Sequence, residues 1–424
     1  MAGFAGRGAL FRWLVGWAAL FTLFYTVHLL LWLHNGFVVS MEPLGWLLKP
    51  IGNLVHVLTF PGWLTARLLL RSWGESDLLA SFVACAVGAL VLVLVLVWLS
   101  EVRRVLGGFP TPQQQRQRAE RGILVSRRKL LADGLVLGTG MGATAALADA
   151  ACFAPERLRV TRYTIPIENL PQAFDGLRLA QITDTHLGPR VPRELIDEAM
   201  RLAIGLKPDV FLLTGDYVHC GLEWVTPAAG QFATLAETGK PVLGVLGNHD
   251  WFNDGRLMSR RMSEAGVCMI DNDRRFLSMG RGGVCRIATA PEASCICLAG
   301  LGDLQQHCID PVKALARVDP SMPRLVLSHN PDSAEEAGVS LPGSPRIDLM
   351  ISGHTHGGQV RIPGVGTGTG MVSRFGDKYA AGLVRGPACR VLISRGVGMS
   401  LVPFRFLVPP EVVEITLKRT EPRD

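Results

Sequence analysis

Five short apolar segments of the chain are each followed closely by aspartate, asparagine or histidine, and this repetition constrains the fold more than any other feature. Each segment has the length of a β-strand and is hydrophobic almost without interruption, as expected when both faces of a sheet are covered. Stretches with helical character lie between them. We therefore predict an α/β fold whose strands include residues 177–182, 210–213, 242–246, 324–327 and 347–351, followed by strands at 390–394 and 412–417.

The polar residues that follow these strands are of the kinds that bind divalent metal ions. α/β folds place ligands at the carboxyl ends of their strands, so these side chains are expected to meet. Imidazole, carboxylate and amide oxygen without thiolate suit Mn, Fe, Zn or Co. A glycine precedes Asp216, Asn248 and His354, where it allows a tight turn and a close approach of the backbone. The candidate ligands are Asp184, His186, Asp216, Asn248, His329, His354 and His356.

The number of candidate ligands exceeds what a single ion needs. Two ions roughly 3.5 to 4 Å apart can clamp the attacking and the leaving oxygen of a phosphoryl displacement. We therefore expect a site for two divalent metal ions.

The order and spacing of these motifs resemble the calcineurin-like metallophosphoesterase superfamily over about residues 160–418. Within it, the chain is most similar to bacterial membrane-associated or twin-arginine-exported phosphoesterases. The motifs that carry the resemblance are Asp184-x-His186, Gly215-Asp216, Gly247-Asn248-His249-Asp250, Ser328-His329 and Gly353-His354-Thr355-His356-Gly357-Gly358-Gln359.

The resemblance implies a four-layer α/β sandwich around two mixed sheets, which we place at residues 157–420. It implies that Asp216 bridges the two ions. One ion would be held by Asp184, His186 and His356, and the other by Asn248, His329 and His354.

The resemblance also implies the roles of two catalytic residues. His249 would contact the phosphate and protonate the leaving oxygen or stabilise charge, and Asp250 would orient its imidazole. The implied enzyme is a metal-dependent phosphohydrolase or phosphodiesterase. It would cleave a phosphate ester or a pyrophosphate with a water activated by the metals.

Apolar segments before residue 100 predict a membrane region. The mean hydropathy of +0.27 and the charged fraction of 19% are unusual for a soluble globular protein. Residues 78–99 contain no charge over 22 positions, enough for a helix to span roughly 30 Å of hydrocarbon. Residues 10–33 predict a second transmembrane helix. Residues 45–70 are ambiguous because lysine, arginine and two prolines interrupt them.

A basic segment at residues 101–129 accounts for most of the net charge. It carries eight basic and two acidic residues, a balance of +6 out of +7 for the whole chain. Short loops rich in arginine and lysine stay in the cytoplasm, so we interpret this segment as a cytoplasmic linker. The rest of the chain is nearly neutral. Binding of long nucleic acid is therefore not expected, because it needs a basic track.

Residues 130–150 decide the compartment of the C-terminal domain. They follow Ser126-Arg127-Arg128-Lys129 and are weakly apolar, which fits either a third transmembrane helix or a twin-arginine-like export segment. Both place the domain outside a bacterial plasma membrane. A third reading, in which the segment is too polar to cross, leaves the domain inside.

The substrate expected for a tethered domain is a phosphorylated small molecule or a lipid-linked envelope compound. Two alternative functions remain open, namely a nucleotide phosphodiesterase and a non-catalytic membrane sensor with the same fold. Four cysteines between residues 285 and 308 fit either disulfides in an oxidising space or buried free thiols.

Overall fold

The computed structural model describes residues 149, 153–189, 191–292, 294–400 and 404–420. The predicted helices at 10–33 and 78–99, the segment 45–70, the linker 101–129 and nearly all of 130–150 lie outside these residues. Within the described part of the chain, no helix has both the length and the apolar character needed to cross a membrane.

The elements alternate between strands and helices along the described chain. The strands are β1 (Arg159–Glu168), β2 (Arg178–Ile182), β3 (Val210–Leu213), β4 (Val242–Gly244), β5 (Cys268–Met269), β6 (Arg274–Met279), β7 (Cys285–Ala288), β8 (Cys295–Gly300), β9 (Arg324–Leu327), β10 (Leu349–Ser352), β11 (Arg361–Ile362), β12 (Gly366–Thr367), β13 (Gly382–Arg385), β14 (Arg390–Ile393) and β15 (Glu411–Thr420). The α-helices are α1 (Arg193–Gly205), α2 (Val225–Ala236), α3 (Asn248–Glu264), α4 (Pro311–Ala314) and α5 (Ala337–Ser340). Short 3-10 helices cover Ala154–Glu156, Gln172–Phe174, Leu222–Trp224, Arg281–Gly283, Pro331–Glu335, His356–Gly358, Gly368–Met371 and Gly376–Tyr379.

Two mixed sheets contain nearly all of these strands, so the α/β prediction is confirmed. The first sheet has the order β1-β15-β2-β3-β4-β5, and the second has the order β13-β14-β10-β9-β8-β6-β7. In the first sheet β15 runs antiparallel to β2, while β2, β3 and β4 are parallel. In the second sheet β8, β9, β10 and β14 are parallel.

Three apolar clusters hold these layers together. One is formed by inward-facing residues of both sheets, including Leu212 of β3 and Leu327 of β9. A second joins the opposite face of the first sheet to α1, α2 and α3. The third joins the outer face of the second sheet to α4, α5 and neighbouring turns. Full burial of one such leucine contributes roughly 1.5–3 kcal/mol, so both faces of the central strands must be apolar.

The site is positioned by five strand ends drawn from both sheets. Loops after β2, β3 and β4 come from the first sheet, and loops after β9 and β10 come from the second. A hydrogen bond joins the two sets, because His329 Nδ1 lies 2.7 Å from the carbonyl oxygen of Thr214. The carboxyl edges of two parallel strand groups thus meet at one place.

Candidate metal centre

The structure brings the candidate ligands together in two groups that could each hold a metal ion. We define cluster A as Asp184, His186 and His356, and cluster B as Asp216, His329 and His354. Within each cluster the ligand atoms lie within 4.8 Å of one another.

Cluster A is compact and buried. His186 Nε2 lies 2.9 Å from His356 Nε2, which in turn lies 3.4 Å from Asp184 Oδ1. The Asp184 carboxylate is fixed by the Thr183 hydroxyl at 2.7 Å and by the His354 backbone N–H at 3.0 Å. The carboxylate therefore faces the two imidazoles in a defined orientation.

Cluster B has a fourth neighbour, the Asn248 side chain. His329 Nε2 lies 3.3 Å from Asp216 Oδ2, 3.1 Å from His354 Nδ1 and 3.1 Å from Asn248 Oδ1. All four atoms can accept a hydrogen bond, and they converge on one small volume.

The Asp216 carboxylate lies between the two clusters. Its Oδ2 is 3.3 Å from His329 Nε2 in cluster B and 3.4 Å from His186 Nε2 in cluster A. Its Oδ1 accepts the backbone N–H of His249 at 2.8 Å. A single carboxylate oxygen thus faces imidazoles of both clusters.

The backbone at these positions adopts an uncommon conformation. Positive φ angles occur at Asp184 (53°), His186 (47°), Asp216 (54°), His354 (70°) and His356 (52°). Left-handed backbone costs free energy in residues other than glycine and persists where the surrounding structure imposes it, often at functional sites. The surrounding structure therefore holds these residues in an unfavourable backbone conformation, and that conformation places their side chains in the clusters.

Glycines make room for the carboxylates, as the sequence predicted. A Cβ added at Gly247 would lie 2.2 Å from Asp216 Oδ1, and one added at Gly353 would lie 2.1 Å from Asp184 Oδ2. Any side chain at either position would displace a carboxylate of the clusters.

The hydrogen-bond chemistry of cluster B fits a bound cation. A carbonyl oxygen only accepts, so His329 Nδ1 must donate to Thr214, and His354 Nε2 correspondingly faces the Val372 carbonyl at 3.3 Å. In neutral imidazoles the inward nitrogens then carry lone pairs. Two lone pairs, a carboxylate oxygen and an amide oxygen would converge without a donor among them, so a positive charge is needed between them.

The titration behaviour of the buried groups supports the same conclusion. Burial alone would lower the pKa of His329, but the Asp216 carboxylate outweighs it, and the net result is a pKa of about 10. Burial raises the pKa of Asp184 to about 7 and lowers that of His354 to about 3. In the absence of metal, a proton on His329 supplies the charge that the carboxylates require.

His249 and Asp250 lie together in the first turn of α3, but they do not contact each other as predicted. The orienting partner of His249 is the carbonyl oxygen of His219, 2.8 Å from Nδ1, and Nε2 lies 3.3 Å from Ser400 Oγ. The His249 ring packs edge-on against His186, with 4.7 Å between ring centroids.

The predicted role of Asp250 in orienting His249 is therefore wrong. Its carboxylate instead accepts backbone N–H groups of Asp216, Tyr217 and Gly247, each at 2.9 Å. A buried carboxylate is the acceptor that can bind several amides at once. Asp250 thereby ties the loop after β3 to the start of α3.

Sequence reasoning missed two neighbours of the clusters. Arg405 is fully buried, and its Nη2 lies 3.3 Å from His356 Nδ1 while its guanidinium also donates to backbone carbonyls including that of Gly398. Gln305 Nε2 lies 3.4 Å from His354 Nε2. The signal available for Arg405 was a lone arginine within an apolar run at 401–408.

The cysteines of the described residues are free thiols. The strand β8 buries both Cys295 and Cys297, and burial raises the pKa of the Cys297 thiol to about 12. Of the two readings of these cysteines, the structure therefore shows the free-thiol form.

Comparisons with known proteins place these motifs in a known family. The family described as calcineurin-like phosphoesterase matches residues 177–358, which contain both clusters. The phosphodiesterase YaeI of Escherichia coli is 32% identical over 239 residues, covering 56% of this chain and 80% of that protein. The chain belongs to the calcineurin-like metallophosphoesterase family. It is a metal-dependent phosphoric ester hydrolase.

Two further relatives of this metallophosphoesterase are a named pyrophosphatase and a longer protein named as transmembrane. The UDP-2,3-diacylglucosamine pyrophosphatase LpxG of Chlamydia trachomatis is 29% identical and covers 61% of this chain and 88% of that protein. A "transmembrane protein with metallophosphoesterase domain" of Danio rerio is 29% identical over 62% of this chain. The chain spans 57% of the length of that fish protein.

Proposed function

We propose that the chain is a binuclear-metal hydrolase that cleaves a phosphate ester or pyrophosphate bond at the two clusters. The observation that carries this proposal is the position of Asp216, whose Oδ2 faces His329 Nε2 at 3.3 Å and His186 Nε2 at 3.4 Å. One carboxylate between two sets of ligands suits a pair of dications, whose mutual repulsion it reduces.

The donor atoms divide naturally between two ions. One ion would be held by Asp184, His186 and His356, the other by Asn248, His329 and His354, with Asp216 shared. Nitrogen and oxygen donors without thiolate suit Mn, Fe, Zn or Co. When bound, the ions would supply Lewis-acid activation of the phosphate group and of the attacking water.

His249 is the proposed proton donor to the leaving oxygen. Its Nδ1 must donate to the carbonyl of His219, so Nε2 is the atom at which a proton is gained and lost. The half-buried ring lies edge-on against His186 of cluster A, next to the proposed metal site. Asp250 acts through the backbone, by fixing the turn that presents His249.

The substrate class is inferred from tethering and from the relatives. The N-terminal apolar segments would anchor the domain in the plasma membrane, with the domain on the outer side. A relative named as a UDP-2,3-diacylglucosamine pyrophosphatase supports a lipid-linked pyrophosphate, and one named as a phosphodiesterase supports a diester. A reporter fused after residue 150, active only outside the cytoplasm, tests the proposed side.

The test of the activity compares wild type with His249→Ala. Both proteins are loaded with Mn²⁺, the bound metal is counted, and hydrolysis of bis(4-nitrophenyl) phosphate and of a lipid-linked diphosphate is followed. We expect turnover by wild type and a loss of about a hundredfold or more in the variant at equal metal content. Equal inactivity of both metal-loaded proteins on every ester would instead favour a binding role.

A further inference from the structure

A cavity of about 350 Å³ lies beside α3, next to residues that follow Asn248 along the helix. Its lining includes Trp251, Arg256, Arg260 and His307. The cavity shares two pieces of chain with cluster B. Trp251 follows Asn248 by one helical turn, and His307 follows Gln305, whose Nε2 is 3.4 Å from His354 Nε2.

The two arginines are exposed and lie four positions apart on α3, so they are neighbours on one face of the helix. Neither has an ion-pair partner among the described residues, whereas their neighbour Arg261 pairs with Glu264 at 2.8 Å. Like charges at this spacing repel by a few tenths of a kcal/mol in water. An anion bound between them would remove that repulsion and accept charge-assisted hydrogen bonds from both guanidinium groups.

Another part of the cavity lining is aromatic. Trp251 and His307 stack with 4.5 Å between ring centroids and an interplanar angle of 9°. A Cβ added at Gly255 would lie 2.4 Å from carbons of the indole, so this glycine allows the ring to lie flat on the helix. The buried indole Nε1 has no hydrogen-bond partner in the part of the chain that the structure describes.

The loop that carries His307 is also held firmly. The Asn272 side chain accepts the backbone N–H of Gly302 at 2.9 Å and that of Asp310 at 2.8 Å, and it donates to the Cys308 carbonyl at 2.7 Å. Three hydrogen bonds from one amide close this loop, so the cavity wall is preformed in the absence of ligand.

The cavity lining also includes one carboxyl group, that of Asp271, which could offset the positive charge of the two arginines. Asp271 Oδ1 accepts the Leu246 backbone N–H at 2.9 Å. Burial raises the pKa of Asp271 to about 7, so a large fraction of this carboxyl is uncharged near neutral pH. The two guanidinium groups therefore dominate the charge facing the cavity.

We propose that this cavity is a subsite for a second phosphate group of the substrate, bound by Arg256 and Arg260 while the scissile phosphate lies at the metal clusters. The inference rests on the proposed function, because it treats the cavity and the clusters as parts of one substrate site. Substrates would then be bisphosphorylated compounds whose spacer extends from the metal clusters to the part of α3 that follows the kink at Asp254.

The test uses non-hydrolysable phosphonates and the full chain. Calorimetric dissociation constants are measured with Mn²⁺ for propane, hexane and decane bisphosphonates and for the matching alkyl monophosphonates. We expect one spacer length to bind at least about tenfold more tightly than its monophosphonate. Arg256→Gln/Arg260→Gln should abolish that advantage without changing monophosphonate binding.

The matched control is Arg193→Gln/Arg201→Gln on α1, which removes two exposed arginines that already pair with acids. It should keep the full preference. The inference is wrong if no bisphosphonate binds better than its monophosphonate, or if the control variant loses the preference equally. Binding repeated in chelator separates the two claims. Monophosphonate binding that is unchanged in chelator would contradict the metal site, and retention of the binding that depends on Arg256 and Arg260 would leave the cavity assignment standing.

Discussion

Clusters A and B contain similar side chains, but their histidines differ in the partner of the outer ring nitrogen, which is the nitrogen that points away from the other ligand atoms of the cluster. In cluster B, both histidines face backbone carbonyls with their outer nitrogens, at 2.7 Å for His329 and 3.3 Å for His354. In cluster A, the outer nitrogen of His356 faces the Arg405 guanidinium, and that of His186 has no partner in the described residues.

This difference decides which nitrogen carries the proton. In a neutral imidazole, a carbonyl acceptor on the outer nitrogen leaves a lone pair on the inward nitrogen, whereas a guanidinium only donates and so favours a proton on the inward nitrogen of His356. Metal binding in cluster A must displace that proton and also weaken the contact with Arg405. Metal binding in cluster B must displace the extra proton of His329, but it keeps the contacts with both carbonyl oxygens. We therefore expect cluster B to bind its ion more tightly, since outer partners change metal affinity by about 10- to 100-fold.

The largest expected effect comes from the carboxylate that the clusters share. Asp216→Asn should lower kcat/KM by on the order of a thousandfold, since metal ions supply several kcal/mol of transition-state stabilisation. Elemental analysis should show loss of metal from both clusters. Glu194→Gln, a change at an exposed position on α1, is the control and should retain metal and activity. Loss of only one ion in Asp216→Asn would show that the clusters do not share this ligand.

A chelator titration tests the ranking of the clusters directly. His186→Ala, which damages cluster A, should keep one ion in cluster B through dialysis against chelator. His329→Ala, which damages cluster B, should lose nearly all metal under the same conditions. Metal per chain is measured after each dialysis. Equal retention by the two variants would remove the distinction between the clusters.

Arg405 provides a prediction about stability. Arg405→Met removes the donor that satisfies carbonyls including those of Gly398 and Val408, so buried acceptors lose their partners. We expect a loss of roughly 3 kcal/mol or more in the free energy of unfolding, measured by urea denaturation. Arg385→Met, at an exposed position on β13, should cost little. An unchanged unfolding midpoint for Arg405→Met would mean that the guanidinium is dispensable.

Asp250→Asn distinguishes loop fixation from orientation of His249. Replacing the carboxylate puts an amide donor against backbone N–H groups of Asp216, Tyr217 or Gly247, so we expect about 2 kcal/mol of destabilisation. The pH dependence of residual turnover should keep its shape. A shifted pH profile with unchanged stability would favour the direct pairing with His249 that the geometry contradicts.

The pH dependence of stability in the metal-free protein tests the charge held at the clusters. His329 has a pKa of about 10 when folded, well above its unfolded value. The folded state therefore binds an extra proton between the unfolded pKa and about pH 10, and the stability it contributes is lost as pH rises through that range.

Asp184 acts in the same direction. Its folded pKa of about 7 lies above the unfolded value, so stability also falls as pH rises from about 4 to 7. In chelator, the melting temperature should fall from pH 6 to pH 10. With Mn²⁺ the fall should be smaller or reversed, because ligands bind metal in their deprotonated forms. A flat or rising profile in chelator would contradict these assignments.

Some elements of the fold are legible in the sequence, and others are not. β3 and β9 match the predicted segments to the residue, because they are buried on both faces and so consist of continuous apolar runs. β1 was not predicted. Its sequence alternates and includes polar side chains, and its ladder partner β15 lies some 250 residues away. The antiparallel strands β6 and β7 were also not predicted. They form by pairing with each other and with β8, and a local sequence pattern does not reveal such pairing.

The same division applies to the site. The seven candidate ligands could be proposed because each lies within four residues of the carboxyl end of a strand and belongs to a type that binds metal. Asp250 and Arg405 serve backbone groups far away in sequence, such as the amide of Tyr217 and the carbonyl of Gly398. A local pattern carries no information about such partners, so their roles required the fold.

The most direct test of the two-ion account is the relation between bound metal and activity. Metal-stripped protein is titrated with Mn²⁺ while bound ions are counted and hydrolysis of bis(4-nitrophenyl) phosphate is measured at each step. We predict that the ion of cluster B binds first with little turnover, and that activity rises to its maximum at about two ions per chain. Full activity with one ion per chain, or activity that persists after complete metal removal, would contradict the account.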